Sequence, residues 1–129
     1  MANAVLVDSS FYIVRHRADL DPFAELASAD LWEPATCGMV MLEVLRGANI
    51  ESDYRYYRET FAVMNCVATT SRIWASATDL LRLLARKGFT IPPQDALIAA
   101  AALSIDAPVL TFDAHFKLIP GLTTFDSLP

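Results

Sequence analysis

The chain has 129 residues, 54% of them apolar and 19% charged, with a formal net charge of −5 and a pI of about 4.8. That length suits a single domain with a core large enough to need no disulfide or metal staple, and the composition excludes a disordered chain. The acidic balance argues against a general nucleic-acid-binding surface, unless the acids gather around a metal and so bring a cation to a polyanion.

No repeat, low-complexity segment or long linker divides the sequence, so residues 1–129 read as one domain. The start, "MANAVLVDSS", has neither a basic n-region nor a cleavage signal, and no apolar run approaches the roughly 18 residues of a membrane span, which points to a cytoplasmic protein. Within it "AVLVD" is a short continuous apolar run, as in a strand buried on both faces. "SSFYIVRHR" follows with helical character. In "LDPFAELAS", Asp21 is placed as an N-cap and Pro22 at the first helical position. "LWEPA" reads as a second strand ended by Pro34, and "GMVMLEVLRGA" as a helix over 38–48.

"ESDYRYYRETFAVM" reads as a further helix, whose Tyr54, Tyr56, Tyr57 and Phe61 among arginines suggest a partner surface. With the overall apolar excess, this predicts a homodimer. "NCVATT" is a short strand. "SRIWASATDLLRLLARKG" is the clearest amphipathic helix, with Ser71 as its cap and Gly88 as its stop. The helix after Pro93 runs to about Ile105, almost wholly apolar behind Asp95. "PVLTFD" is a strand like the first, "HFKLI" a helical turn and "LTTFD" a last strand. Buried strands alternating with helices predict an α/β fold with a mainly parallel sheet. Cys37 and Cys66 form no metal-ligand pattern and read as buried or free thiols.

Chemistry points to the acids. Asp8 and Asp113 each end an apolar strand, the place where open parallel sheets bind ligands. Asp95 begins a helix, and the sequence leaves open whether it faces the same edge. Glu43 lies inside a helix, off the apolar face of Val40, Met41, Val44, Leu45 and Ala48, at the margin of something enclosed. Each has a plain structural alternative: a cap for Asp8 and Asp113, a dipole partner for Asp95, an ion pair with Arg46 for Glu43. Other chemistries lack their parts. Ser9 and Ser10 have no nucleophile-elbow glycines, no phosphate-binding glycine loop exists, and His16 and His115 have no metal-ligand spacing. His115 beside Phe116 reads as a packing residue.

In order, "VLVDSS", "MVMLEVLRG", "PPQDALIAAAA" and "VLTFDAHF" resemble the PIN-domain family, and within it the VapC-like toxins of type II toxin–antitoxin pairs. The resemblance spans nearly the whole chain. No single motif is specific, but four acids in order and in their proper local settings are. It implies a three-layer α/β/α sandwich around a mainly parallel sheet, and an Mg²⁺- or Mn²⁺-dependent endoribonuclease held inactive by a small VapB-like antitoxin. The family's catalytic acids carry over as Asp8, Glu43, Asp95 and Asp113, with Asp8, Asp95 and Asp113 as metal ligands. Ser9, Ser10 and Thr111 match positions that support the metal site, and Arg15, Arg17 and Arg46 are candidates for RNA contact. One departure stands out. Where many members have a second acid two residues after the last, in a D-x-D-F pattern, this chain has His115, leaving one carboxylate fewer. The competing readings are a non-catalytic module of the same fold, and another metal-dependent nuclease or phosphatase. A haloacid-dehalogenase-like enzyme would need an Asp where Ser10 stands.

Overall fold

The structure, a computed structural model, describes residues 3–129. It begins with β1 (Asn3–Val7), in which Val5, Leu6 and Val7 are fully buried. Successive side chains of a strand point to opposite faces, so burial of three in a row requires cover on both sides. The chain continues through α1 (Ser9–Arg17), α2 (Pro22–Ala27), β2 (Trp32–Cys37), α3 (Gly38–Arg46), α4 (Glu51–Ala62) and β3 (Asn65–Val67). Then follow α5 (Ser71–Arg86), α6 (Pro93–Ser104), β4 (Val109–Leu110), a 3₁₀ turn (Ala114–Leu118) and β5 (Thr124–Phe125). The strands form one sheet in the order β3-β2-β1-β4-β5, with every pairing parallel. This is the expected three-layer α/β/α architecture. No helix among the described residues is long and apolar enough to cross a membrane.

Strand order reverses at β1: β2 and β3 lie to one side, β4 and β5 to the other. The crevice beyond the carboxyl ends at such a switch is where open parallel sheets bind ligands. β1 and β4 are neighbours there, and the Asp8 amide donates to the Leu110 carbonyl at 2.9 Å. The residues following both strands are thereby brought together.

The sequence overstates strand lengths. "PVLTFD" yields only Val109–Leu110, "NCVATT" only Asn65–Val67, and "LTTFD" only Thr124–Phe125. Nor does Pro34 end β2, which runs through it to Cys37. Leu31 O accepts from Asn3 N, so by strand alternation the odd residues of this stretch face β1 and Pro34 faces away. On that far side β3 begins only opposite Ala35, so no partner awaits an N–H at Pro34.

Helix ends follow familiar chemistry. Asp21 caps α2 by accepting from Phe23 N at 3.0 Å. The cap of α5 is Thr70 rather than Ser71, its hydroxyl accepting from Ile73 N. Gly88 stops α5 at φ +86°, with Phe89 N bonded to Leu84 O and Gly88 N to Ala85 O, which completes a Schellman motif. The α4 aromatics are less of a surface than their spacing suggests. Tyr57 and Phe61 are buried and pack edge-on around Phe23, with Phe61 also meeting Tyr12. Tyr56 alone of these is well exposed, and its hydroxyl donates to Asp21 at 2.7 Å.

The helix that carries Asp95, α6, is buried from Asp95 through Ala102. It packs chiefly on α5 and also touches α3 and the 3₁₀ turn. Five alanines in this stretch keep the helix thin enough for such close neighbours.

Thr36 in β2 is fully buried, and its hydroxyl has no hydrogen-bond partner among the described residues. An unpaired buried hydroxyl costs stability that an isosteric methyl does not. Thr36→Val is therefore expected to stabilise the fold by about 1 kcal/mol, measured by denaturant unfolding. A destabilised variant would mean that the hydroxyl is bonded through water.

Candidate active site

Asp8 follows β1 directly and caps α1, one carboxylate oxygen facing Ser10 N at 3.4 Å. It is buried. Its Oδ2 accepts from the Thr111 hydroxyl at 2.9 Å, across the β1–β4 junction. Thr111 has a single hydroxyl proton, and that proton goes to Asp8. Its 3.2 Å contact with Ser10 Oγ is therefore one in which Ser10 donates. Ser10 Oγ in turn accepts from Phe112 N at 3.0 Å, and Thr111 Oγ1 from Asp113 N at 2.9 Å. Two hydroxyl groups thus fasten the start of α1 to the backbone that leads to Asp113.

Ser9, buried on the other side, donates to Glu43 Oε1 at 3.1 Å and sits 3.4 Å from Asp8 Oδ1. Glu43 is held by this contact rather than by a bonded pair with Arg46. Asp113 caps the 3₁₀ turn, accepting from His115 N at 2.9 Å. Asp95 stands in the first turn of α6, yet its side chain makes no capping bond. Its Oδ2 instead meets His115 Nδ1 at 3.1 Å, and the same nitrogen lies 3.0 Å from Asp113 Oδ1. Asp95 therefore faces the same edge as Asp8 and Asp113, the point the sequence left open.

Electrostatics tie the four acids into one set. Burial pushes the Asp95 carboxyl up to about 6, the charges of Asp113 and Asp8 add to the rise, and His115 opposes it. Burial also raises Glu43, with the Ser9 hydroxyl and Arg46 pulling down and Asp8 and Asp113 pushing up. Asp95 and Glu43 are both raised first by burial and then by the negative charge gathered beside them.

The arginines divide. Arg15 is occupied, with Nε 2.8 Å from Glu25 and its guanidinium over the rings of Phe11 and Phe112. Arg17 and Arg46 line a recess of about 570 Å³ that Glu43, Tyr12 and Tyr57 also line. His115 is the residue that the sequence reading set aside. Phe116 does the packing at this turn and is fully buried, while the imidazole of His115 is partly exposed and turned to the acids. Its position two residues after Asp113 already marks it as a departure from the D-x-D-F pattern. Of the thiols, Cys37 is buried and raised by that burial, and Cys66 is exposed; both are free.

Comparisons with known proteins bear on the fold. The family model described as PIN domain matches residues 5–122. By sequence, no curated relative matches the chain. Among solved structures, VapBC2 from Rickettsia felis bound to a promoter DNA fragment is similar at a TM-score of 0.78 and 19% identity, over 95% of this chain and 97% of that one. VapBC-5 from Mycobacterium tuberculosis, of the VapBC family of toxin–antitoxin systems, is similar at 0.64 and 25%, over 95% of each chain. VapC20 from the same organism, a sarcin–ricin loop cleaving toxin, is similar at 0.64 and 18%, over 88% of this chain and 92% of that one.

The elevated Asp95 carboxyl makes a stability prediction. Its folded value, about 6, lies above the ordinary carboxylate value, so through this group the folded state binds more protons than the unfolded chain between about pH 4 and pH 6. Stability from this group is highest below that window and falls as pH rises through it. Asp95→Asn is expected to exceed the wild type in stability at pH 7 without added metal, by roughly 1–3 kcal/mol, with the gain shrinking toward pH 4. Denaturant unfolding at both pH values measures this. A variant that gains nothing at pH 7 contradicts the electrostatic account of Asp95.

Proposed function

The chain belongs to the PIN-domain family, and from that premise we propose that it is a metal-dependent endoribonuclease, the toxin of a type II toxin–antitoxin pair. The observation that carries the reading is the convergence of Asp8, Glu43, Asp95 and Asp113 at the sheet switch point, with Asp95 raised by burial and further by its acidic neighbours. Carboxylate oxygens are the donors that Mg²⁺ and Mn²⁺ take, and a dication relieves the repulsion recorded in the raised carboxyls. The residues therefore fit such an ion. Asp8, Asp95 and Asp113 are the holding residues, and Glu43 orients water at the margin. An ion there supplies a more acidic water and stabilises charge on phosphoryl oxygens.

The remaining residues act around that centre. Ser9 and Thr111 bond the Glu43 and Asp8 carboxylates, and Ser10 braces Thr111, so that these two acids are held in place before substrate arrives. Arg17 and Arg46, in the recess beside Glu43, are the phosphate-contact candidates. Arg15, held by Glu25, is available only if that pair opens. RNA is the proposed substrate, in keeping with the sarcin–ricin loop cleavage named for VapC20.

A VapB-like antitoxin is the proposed partner, since the similar structures include VapBC complexes. The recess lined by Tyr12, Val44 and Ile50 suits an apolar segment carrying a basic group toward Glu43. Homodimerisation is proposed from the exposed apolar side chains, among them Trp74, Leu83 and Ile105. The proposed compartment is the cytoplasm.

Cleavage is expected to leave a 5′-phosphate and a 3′-hydroxyl, because the attacking group is water and not the RNA 2′-OH. Asp8→Asn is expected to lose activity by at least about 100-fold while keeping its circular dichroism spectrum. Sequencing RNA 5′ ends after expression of the wild type and of this variant tests both. A 2′,3′-cyclic product, or full activity in Asp8→Asn, contradicts the proposal. Thr111→Val should lower kcat roughly 10- to 100-fold, since Asp8 and the Asp113 backbone lose their shared anchor. Unchanged kcat in a folded Thr111→Val protein would show that the anchor is dispensable.

A further inference from the structure

We propose that His115 is itself a metal ligand at this site, binding through Nδ1 beside Asp95 and Asp113, and that its nitrogen tilts the site toward Mn²⁺ and later first-row ions over Mg²⁺. The inference rests on the metal-dependent reading above and assigns the ligand set within it.

The geometry is specific. One ligand atom from each of Asp95, Asp113 and His115 lies within 4.8 Å of the others. The nitrogen is 3.1 Å from Asp95 Oδ2 and 3.0 Å from Asp113 Oδ1. Neighbouring ligand atoms around an octahedral ion with bonds of roughly 2.1 Å lie roughly 3 Å apart. The two contacts to the nitrogen therefore already have the spacing of adjacent ligands. The imidazole is also held in place. His115 N is bonded to the Asp113 carboxylate, and the next residue, Phe116, is locked in the core. The ring has no packing duty that would account for its direction.

The donor type then sets the preference. Mg²⁺ favours oxygen and gives up water reluctantly, whereas imidazole suits the later divalent ions, whose affinities rise from Mn²⁺ through Co²⁺ to Ni²⁺. A carboxylate at position 115 would make an all-oxygen site suited to Mg²⁺. An imidazole there makes two carboxylates and one nitrogen, a mixed set that accepts Mg²⁺ less readily.

Pulsed EPR of the full chain loaded with Mn²⁺ tests this without any activity measurement. The expected spectrum shows the nitrogen coupling of a directly bound imidazole. It should change on ¹⁵N-histidine labelling, vanish in His115→Ala and persist in His16→Asn, since His16 lines the recess beside Glu43 but its ring nitrogens face Tyr57 and Asp53. Calorimetry should show Mn²⁺ and Ni²⁺ binding weakened roughly tenfold or more in His115→Ala. His115→Asp should shift the preference toward Mg²⁺. Bound Mn²⁺ without a nitrogen coupling in the wild type overturns the proposal and leaves the metal-dependent reading intact, with His115 a hydrogen-bond donor to the acids. No Mn²⁺ binding at millimolar concentration overturns both. The wild-type spectrum decides even if a variant fails to fold.

Discussion

Asp8, Asp95 and Asp113 place like charges at the carboxyl edge of a sheet whose central strand is buried from Val5 to Val7. Such charges repel far more strongly there than in water, because little solvent is present to screen them. The fold holds them by spending hydroxyl groups and backbone amides on them. Thr111 gives its proton to Asp8 and accepts the Asp113 amide, so one small side chain ties two acids from neighbouring strands. Ser9 stands between Asp8 and Glu43 and has one proton for the two, given to Glu43 at the shorter distance. What the hydroxyls do not supply is positive charge, and the raised Asp95 carboxyl records the deficit.

The plain structural readings of these acids and the functional one are not exclusive. Asp8 does cap α1, and Asp113 does cap the 3₁₀ turn. The capping bonds, through Asp8 Oδ2 and Asp113 Oδ1, fix each carboxylate against its own chain. Capping is a way to orient an acid without a cationic partner that would compete for it. Asp95 differs. No capping bond restrains it, and its rigidity comes from the helix behind it, buried from Ala96 to Ala102. Pro92 and Pro93 set the entry into that helix with backbones that need no donor partner.

The sequence made legible what depends on local pattern. The strand–helix alternation, the Asp21 cap, the Gly88 stop and the four acids with their neighbouring hydroxyl residues could all be read from the chain. Strand lengths could not, because apolar residues such as Phe112 flank β4 without pairing in it. Pro34 misled for a related reason. A proline ends a strand only where its missing N–H faces a partner, and partner registry is a tertiary fact. The α4 aromatics misled because their spacing is that of a helix face, and a sequence does not say which face is covered. His115 was hidden by its neighbour: beside Phe116 a histidine looks like packing, and only the fold shows the phenyl ring turned inward and the imidazole turned to the acids.

The net charge looks at first like an objection to an RNA substrate. Of the formal −5, the four site carboxylates account for four, which leaves the rest of the chain at −1. Away from the site the protein is therefore close to neutral. It neither repels a polyanion strongly nor steers one from a distance. Attraction has to be local, and the arrangement of cations is in keeping with that. Arg15 is neutralised by Glu25, while Arg17 and Arg46 stay beside the recess that Glu43 borders. On the proposed metal-dependent reading, such a site binds RNA weakly wherever its cation is missing. Loading the acids with a metal then changes more than the chemistry. On that reading it also turns a cluster of four carboxylates into a place that a phosphate backbone can approach.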